Sequence, residues 1–273
     1  MASVPSVVVC PGMMLRDLWQ YRGFVLGMVR REFHLRYLES VLGSAWALLH
    51  PLALIIVLTA ILGGVMTERV GTGDRVAYGL GLCVALFAWN AFSEIVGRCQ
   101  AGKAHLLQQL AVLDEDRLAL PLVVLGSAAL NLAIGLALLC AALAVTGRWP
   151  GWALVAVAPV LAIQLALALG LGIAVAVLNV FARDVGQATL LGLQFLFWLT
   201  PIVYPLSLLN GWPQMLLQLN PLTHLVVAAQ GAVLDGHWPS VAQLAFPLAA
   251  AAVALALAGS LFRRLGDQMT DYV

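Results

Sequence analysis

Charge is what this chain has least of: Asp, Glu, Lys and Arg make up 10% of its 273 residues, where a soluble globular protein carries about 25%. With 62% hydrophobic residues, too little polar surface remains to clothe a water-soluble domain of this size, which excludes soluble enzymes and soluble binding modules. The net charge is only +1, and the basic residues are not pooled in one soluble stretch, so nothing points to a nucleic-acid partner. Cysteine is scarce as well. Cys10, Cys83, Cys99 and Cys140 show no paired spacing, which suggests neither a metal site nor a disulfide framework; they read as small apolar fillers. Ahead of Cys10, Val7, Val8 and Val9 form too short an apolar run for a signal peptide, with no basic residue before them.

Catalytic signatures are missing too. Gly97, Gly102 and Lys103 have the spacing of a phosphate-binding loop, but Ala104 stands where Ser or Thr would hold magnesium. The stretch also follows an apolar helix rather than a strand. Ser44, Ser127 and Ser260 follow glycines without completing a G-x-S-x-G pattern. We therefore expect no enzyme in this chain: no catalytic residues, no bound cofactor and no metal ligands.

What is present is a series of long uncharged stretches, at 40–67, 76–93, 118–147, 149–182, 185–234 and 236–262. A helix needs about 20 mostly apolar residues to cross the hydrocarbon layer. Five stretches qualify outright and the second is marginal, so the chain is an integral membrane protein. With both termini cytoplasmic, the inner segments hold Arg16, Arg22, Arg30, Arg31, Arg36, Arg98, Lys103, Arg117, Arg183, Arg263 and Arg264. The outer ones hold Arg69, Arg75 and Arg148. This asymmetry follows the positive-inside rule and predicts a multi-pass protein of the cytoplasmic (inner) membrane.

The expected fold is all-α: six transmembrane helices, an N-terminal interfacial helix, and re-entrant outer helices between spans five and six. It forms one domain over 1–273, with 1–40 cytoplasmic and interfacial, the six spans in 41–262, and a cytoplasmic tail at 263–273. Residues 15 to 37 mix five arginines with Trp19, Tyr21, Phe24, Phe33 and Tyr37, which suits a helix lying at headgroup depth. A solvated cytoplasmic helix is the alternative. Span one covers Val41 to Met66, with a kink expected near His50 and Pro51. Span two covers Val76 to Ile95. Residues 97–120 predict a cytoplasmic docking helix, since His105, Leu106 and Leu110 put apolar positions outside the membrane at helical spacing. Spans three and four, Pro121 to Thr146 and Ala153 to Phe181, flank an outer turn anchored by Trp149 and Trp152. Span five runs from near Gln187 through Phe195, Phe197 and Trp198 to Thr200, Pro201, Tyr204 and Pro205. Residues 206–240 are punctuated by Asn210, Gly211, Pro213, Asn220, Pro221 and Pro239; they predict helices that enter the outer leaflet and return, permitted where protein covers the exposed backbone. Span six is Val241 to Phe262.

Few side chains at membrane depth invite a functional reading. Glu94 fits either a pathway role or a pair with Arg98 one turn on, and the pair is favoured. Asn90, Asn131, Gln164 and Gln194 read as bonds between helices. Trp46, Phe87, Trp89, Phe92, Phe195, Trp198 and Tyr204 fit both packing and a substrate pathway, because flat rings present apolar faces to sugars while Trp and Tyr keep a polar edge.

Three segments, LESVLGSAWALLHPLALIIV at 38–57, FARDVGQATLLGLQFLFWLTPIVYP at 181–205 and NPLTHLVVAAQGAVLDGHWP at 220–239, carry a resemblance over essentially the whole chain. The chain resembles the transmembrane permease subunit of ATP-binding-cassette exporters of lipid-linked polysaccharide, the O-antigen, capsule and teichoic-acid type. The resemblance implies a homodimer, bound to two copies of a separate cytoplasmic ATPase that holds the ATP and magnesium, in a lipid membrane with a lipid-linked glycan as substrate. It implies ATPase coupling through Arg30, Arg31, His105, Leu106, Leu110, Arg183 and Asp184, and an outer gate at Pro201, Pro205, Asn220 and Pro221. Two departures stand out: Val112, Leu113, Asp114, Glu115 and Asp116 where relatives often carry a basic, proline-containing sequence, and Gln230 where they often have Arg. The alternatives are the same architecture exporting a drug or lipid, or an ion-coupled secondary transporter. The latter has no paired broken spans or buried ionisable groups to support it.

Overall fold

A single helix, α3 (Arg75–Ala101), forms the post around which the other elements gather. In the computed structural model, residues 22–37, 43–62, 74–101, 119–182 and 184–265 are described. Arg183 and three members of the expected docking helix, His105, Leu106 and Leu110, lie outside the described residues, as does the loop after span one. Every regular element among the described residues is helical.

Before α3 come α1 (Arg22–Tyr37) and α2 (Trp46–Val57), the latter entered through a 3₁₀ turn at Gly43–Ala45. It leaves through a π turn at Leu58–Leu62. α4 (Ala119–Val145) leads through a tight reversal to a 3₁₀ turn at Gly151–Ala156 and then α5 (Val157–Phe181). Gly147 and Gly151 take φ of 69° and 68° in that reversal, a region glycine enters without steric cost. α6 (Asp184–Trp198), α7 (Trp212–Gln218), α8 (Pro221–Leu234) and α9 (Val241–Leu265) complete the described chain.

Among the described residues, four helical stretches are long and apolar enough to cross a membrane: Arg75–Ala101, Pro121–Val145, Gly151–Phe181 and Val241–Leu265. They coincide with expected spans two, three, four and six. α2 runs through Pro51 as a helix, and its departure from α geometry comes later, at the π turn. α6 has 15 residues, about 22 Å at the α-helical rise, short of the roughly 30 Å hydrocarbon layer.

α3 sits centrally although it is the least apolar of the four stretches; its Glu94 and Arg98 are met by side chains of α1 and α4. Of its most apolar stretch 78% is buried, against 22% in α9. Its start is set by Asp74, whose Oδ1 accepts from the amides of Val76 and Ala77, each at 3.1 Å, satisfying two donors a helix N-terminus leaves open. Asp74 also pairs with Arg148 of the α4–α5 turn. The helix outlasts the expected Ile95 boundary because Glu94 and Arg98 pair at 3.1 Å one turn apart, allowing it to reach Ala101. Of the uncharged polar residues expected to link helices, Gln164 donates to the Ala88 carbonyl at 2.9 Å and Asn131 to both Glu94 oxygens at 3.2 and 3.4 Å. Asn90 and Gln194 are exposed.

A close backbone-to-backbone helix contact brings α5 onto α9. A Cβ at Gly170 would lie 2.7 Å from both the Ala254 carbonyl carbon and the Leu255 nitrogen, closer than any side chain can approach a backbone. Small residues are what let membrane helices come this near. Gly170→Ala should therefore destabilise the protein by about 1–3 kcal/mol through overpacking. Gly259→Ala, in open space on α9, should not. Thermal unfolding of the detergent-solubilised chain checks both.

Candidate functional site

α6 stops in the sequence Leu199, Thr200, Pro201, and a helix end leaves four carbonyls without intrahelical partners. Where water is scarce each such carbonyl needs a protein donor, and the donors can be traced one by one. The Leu196 carbonyl accepts from the Thr200 hydroxyl at 2.7 Å, and that of Phe197 from the Thr200 amide at 3.2 Å. The Trp198 carbonyl accepts from the Tyr204 hydroxyl at 2.6 Å. For Leu199 the donor is Asn220 Nδ2 at 3.3 Å, from the entrance to α8. Beyond the break, the Val203 carbonyl accepts from the Tyr78 hydroxyl of α3 at 2.9 Å. Gln230 of α8 reaches the carbonyls of Ile202 and Gly81 at 3.4 and 3.5 Å.

Asn220 does the most of these. Its Oδ1 accepts from the Leu222 amide at 3.0 Å, capping α8, with Pro221 in the first turn, where a missing amide costs nothing. Its Nδ2 donates to the Leu199 carbonyl and, at 3.0 Å, to Thr200 Oγ1. Serine or aspartate would cap α8 as well, but neither supplies two amide hydrogens on the far side. The Asn220–Pro221 pair thus joins two chain segments, capping one helix start and a broken helix end together.

Around this junction lies a row of rings. Phe92, Trp89, Phe197 and Trp198 follow one another with centroids 5.7, 5.5 and 5.3 Å apart, the last two contacts edge-on. The row runs from the interior to the surface, since Phe92 is 1% exposed and Trp198 65%. Phe195 is exposed on α6 as well, and Trp46 is exposed at the start of α2. Phe87 is buried elsewhere, its ring against Gly135 of α4. The aromatic residues singled out from sequence are therefore of two kinds: Phe87, Trp89 and Phe92 are interior to the subunit, while Trp46, Phe195 and Trp198 are on its surface and Tyr204 is partly covered.

The expected gate residues come together in part: Asn220 and Pro221 meet the Thr200–Pro201 break, Pro201 is buried, and Pro205 starts a 3₁₀ turn, Leu206–Leu208. At the opposite end of the bundle, Arg30 and Arg31 are exposed on α1 and Asp184 is exposed at the start of α6. That start is held by Asn179, which donates to the Gln100 carbonyl and accepts from the Gly186 amide, each at 3.1 Å. Tyr78, Gln230 as a backbone donor, and Asn179 were not foreseen as site residues. Tyr78 lies among small apolar residues, so only the contact across 125 positions reveals its use.

Comparison with known proteins places these elements in a family context. Residues 25–234 match the model of the family described as ABC-2 type transporter, a range that holds α8 and the whole junction. The O-antigen export system permease protein RfbA of Myxococcus xanthus is 28% identical over 265 residues, 95% of this chain and 99% of that protein. Two permeases of the same description from Klebsiella pneumoniae are 24% and 23% identical, each over 77% of this chain and 79% of its own length.

Asn220→Asp isolates the junction, because it keeps a good cap for α8 while removing both donors to α6. It should cost about 1 kcal/mol, the loss of the donor to the part-buried Thr200 Oγ1 and to the Leu199 carbonyl, and Asn220→Gly, which loses the cap as well, should cost more. Tyr78→Phe, which strips only a hydroxyl, should cost a similar amount at the Val203 carbonyl. Both are read from the apparent melting temperature of the purified protein.

Proposed function

The chain belongs to the ABC-2 type transporter family, and from that premise we propose that it is the membrane-spanning subunit of an ATP-driven exporter moving a lipid-linked polysaccharide of the O-antigen class across the cytoplasmic membrane. The observation that carries the reading is the similarity to an O-antigen export permease across 95% of this chain and 99% of the relative. ATP and magnesium belong to a separate cytoplasmic ATPase. The chain acts as a homodimer with two ATPase copies and crosses the membrane six times, α2 and α6 supplying the first and fifth crossings, with both termini cytoplasmic.

In that orientation α1, Asp184 and Arg183 lie on the cytoplasmic side. Arg30 and Arg31, with His105, Leu106 and Leu110, offer the surface the ATPase grips. Asp74, Arg148, Trp149 and the junction at Asn220 lie toward the periplasm, the tryptophans at headgroup depth. α7 and α8 form the re-entrant pair, and Pro201, Pro205, Asn220 and Pro221 form the outer gate.

The chemistry of the pathway follows from the uncovered face of α6. Gln187, Leu190, Leu191, Gln194, Phe195 and Trp198 are all exposed there. A face turned wholly to lipid gains nothing from two amides, whereas a glycan path uses both kinds of residue: amides bond hydroxyl groups and rings cover the apolar faces of sugars. Trp46, Phe195, Trp198 and Tyr204 line this path. Trp89 and Phe92 stand behind them, Trp89 bracing Phe197 and through it Trp198, while Phe87 packs against Gly135 of α4 instead. ATP binding moves the subunit only as far as it favours one arrangement of the cytoplasmic surface over another.

Reconstitution with the ATPase in proteoliposomes tests the proposal. Glycan should cross only with partner and ATP present, and Trp198→Ala should slow it about tenfold, equivalent to ~1.4 kcal/mol. Export at full rate without the ATPase would rule the mechanism out.

A further inference from the structure

At the α1 end of the bundle two carboxylates close on one guanidinium. Arg98 Nη2 lies 2.6 Å from Glu32 Oε1 of α1, and Nη1 lies 3.1 Å from Glu94 Oε1 on its own helix. Ser127 of α4 donates to the other Glu32 oxygen at 2.8 Å, while Asn131 of α4 donates to Glu94. All four carboxylate oxygens are therefore engaged, by donors from α3 and α4. Around them α1 lies close on α4: Val29, Glu32 and Phe33 share a crevice with Ser127, Leu130 and Asn131. A Cβ on Gly126 would come within 2.9 Å of a Val29 methyl.

The cluster is half-buried, with side-chain exposures of 31% for Arg98, 27% for Glu32 and 22% for Glu94. Charge-assisted bonds of this length are stronger than neutral ones and hold a defined geometry. Arg98 cannot swing aside when α1 shifts, because Glu94 holds its second nitrogen from one turn back. Displacement of α1, which packs on α4, can reach α3 through this pair. Toward its other end α3 carries Tyr78 and Gly81, whose hydroxyl and carbonyl engage Val203 and, through Gln230, Ile202.

We propose that Glu32 is a positioning residue: the point at which movement of α1 enters the bundle, passing through Arg98 into α3 and along it to the broken end of α6. The proposal rests on the exporter reading for what moves α1. It assigns Glu32 no contact with substrate or nucleotide. α3 acts as one rigid element between the two ends, with the Glu32–Arg98 contact as its cytoplasmic coupling.

The test uses the full-length chain with its ATPase in proteoliposomes, reading ATP hydrolysis, glycan exported per ATP, and ATP-dependent deuterium uptake at residues 199–203. Glu32→Ala leaves Arg98 paired with Glu94. Hydrolysis should stay within about twofold while glycan per ATP falls about tenfold, within the range for residues that carry coupling. The ATP-dependent change in uptake at 199–203 should vanish. Glu32→Gln, which keeps side-chain volume and an acceptor for Ser127, serves if the alanine variant assembles poorly and should show the same direction. The exchange Glu32→Arg with Arg98→Glu restores one cation between two carboxylates and should recover coupling to within about threefold. A wild-type glycan-to-ATP ratio and wild-type uptake in both single variants would overturn the proposal, as would a charge exchange no better than either single variant. Were the wild-type complex to move no glycan, the exporter reading would fall, and the uptake comparison would still decide the role of Glu32.

Discussion

The structure depends on closing the backbone of a helix that ends too early. A carbonyl left open among apolar side chains costs as much as several ordinary contacts supply, so α6 can stop at Trp198 only because donors are waiting. They come from three places: from the break itself through Thr200 and Tyr204, from the α8 entrance through Asn220, and from α3 through Tyr78. Each donor then constrains its own element. α8 starts where Asn220 can serve both helices, and α3 must present Tyr78 to Val203.

This accords with α3 being the most covered of the four long stretches. It receives the break at one end and the Glu32 contact at the other, and between them it bonds α5 through the Ala88 carbonyl and Gln164. The aromatic row from Phe92 to Trp198 leads from this post to the open face of α6. A rigid interior and an uncovered face bearing rings and amides are thus built against each other. In the exporter proposed above, that arrangement suits a long glycan, which has to be contacted repeatedly without being held.

How much of this could be read in the sequence varies with the kind of information involved. The bounds of α4, α5 and α9 were legible because charges end the apolar runs, as at Arg148 and Arg263. The extent of α3 beyond Ile95 was less so, since an ion pair inside a helix looks like a boundary until its partners are seen. The Glu94–Arg98 pair itself was readable from its spacing. Asn220 and Pro221 were legible as punctuation of the 206–240 segment and, through the resemblance, as part of an expected outer gate, but the two donors Asn220 sends to α6 were not. Glu32 escaped notice since it sits in a run of arginines and its partner is on another helix. The aromatic set could not be divided in advance, because lipid and protein interior both accept rings, so sequence does not tell which of them face inward.

The central claim is that protein, not water, closes the broken end of α6, and accessibility at the break tests it most directly. Ile202 is 1% exposed and Leu222 2%, flanking the carbonyl contacts from both segments. In a cysteine-free background, a single cysteine at either position in the resting, reconstituted complex should resist a water-soluble maleimide applied from both sides of the membrane, while one at exposed Trp212 reacts. Rapid labelling at 202 or 222 would mean that water reaches the break and satisfies its carbonyls, and the account built on Asn220, Tyr78 and Gln230 would be wrong.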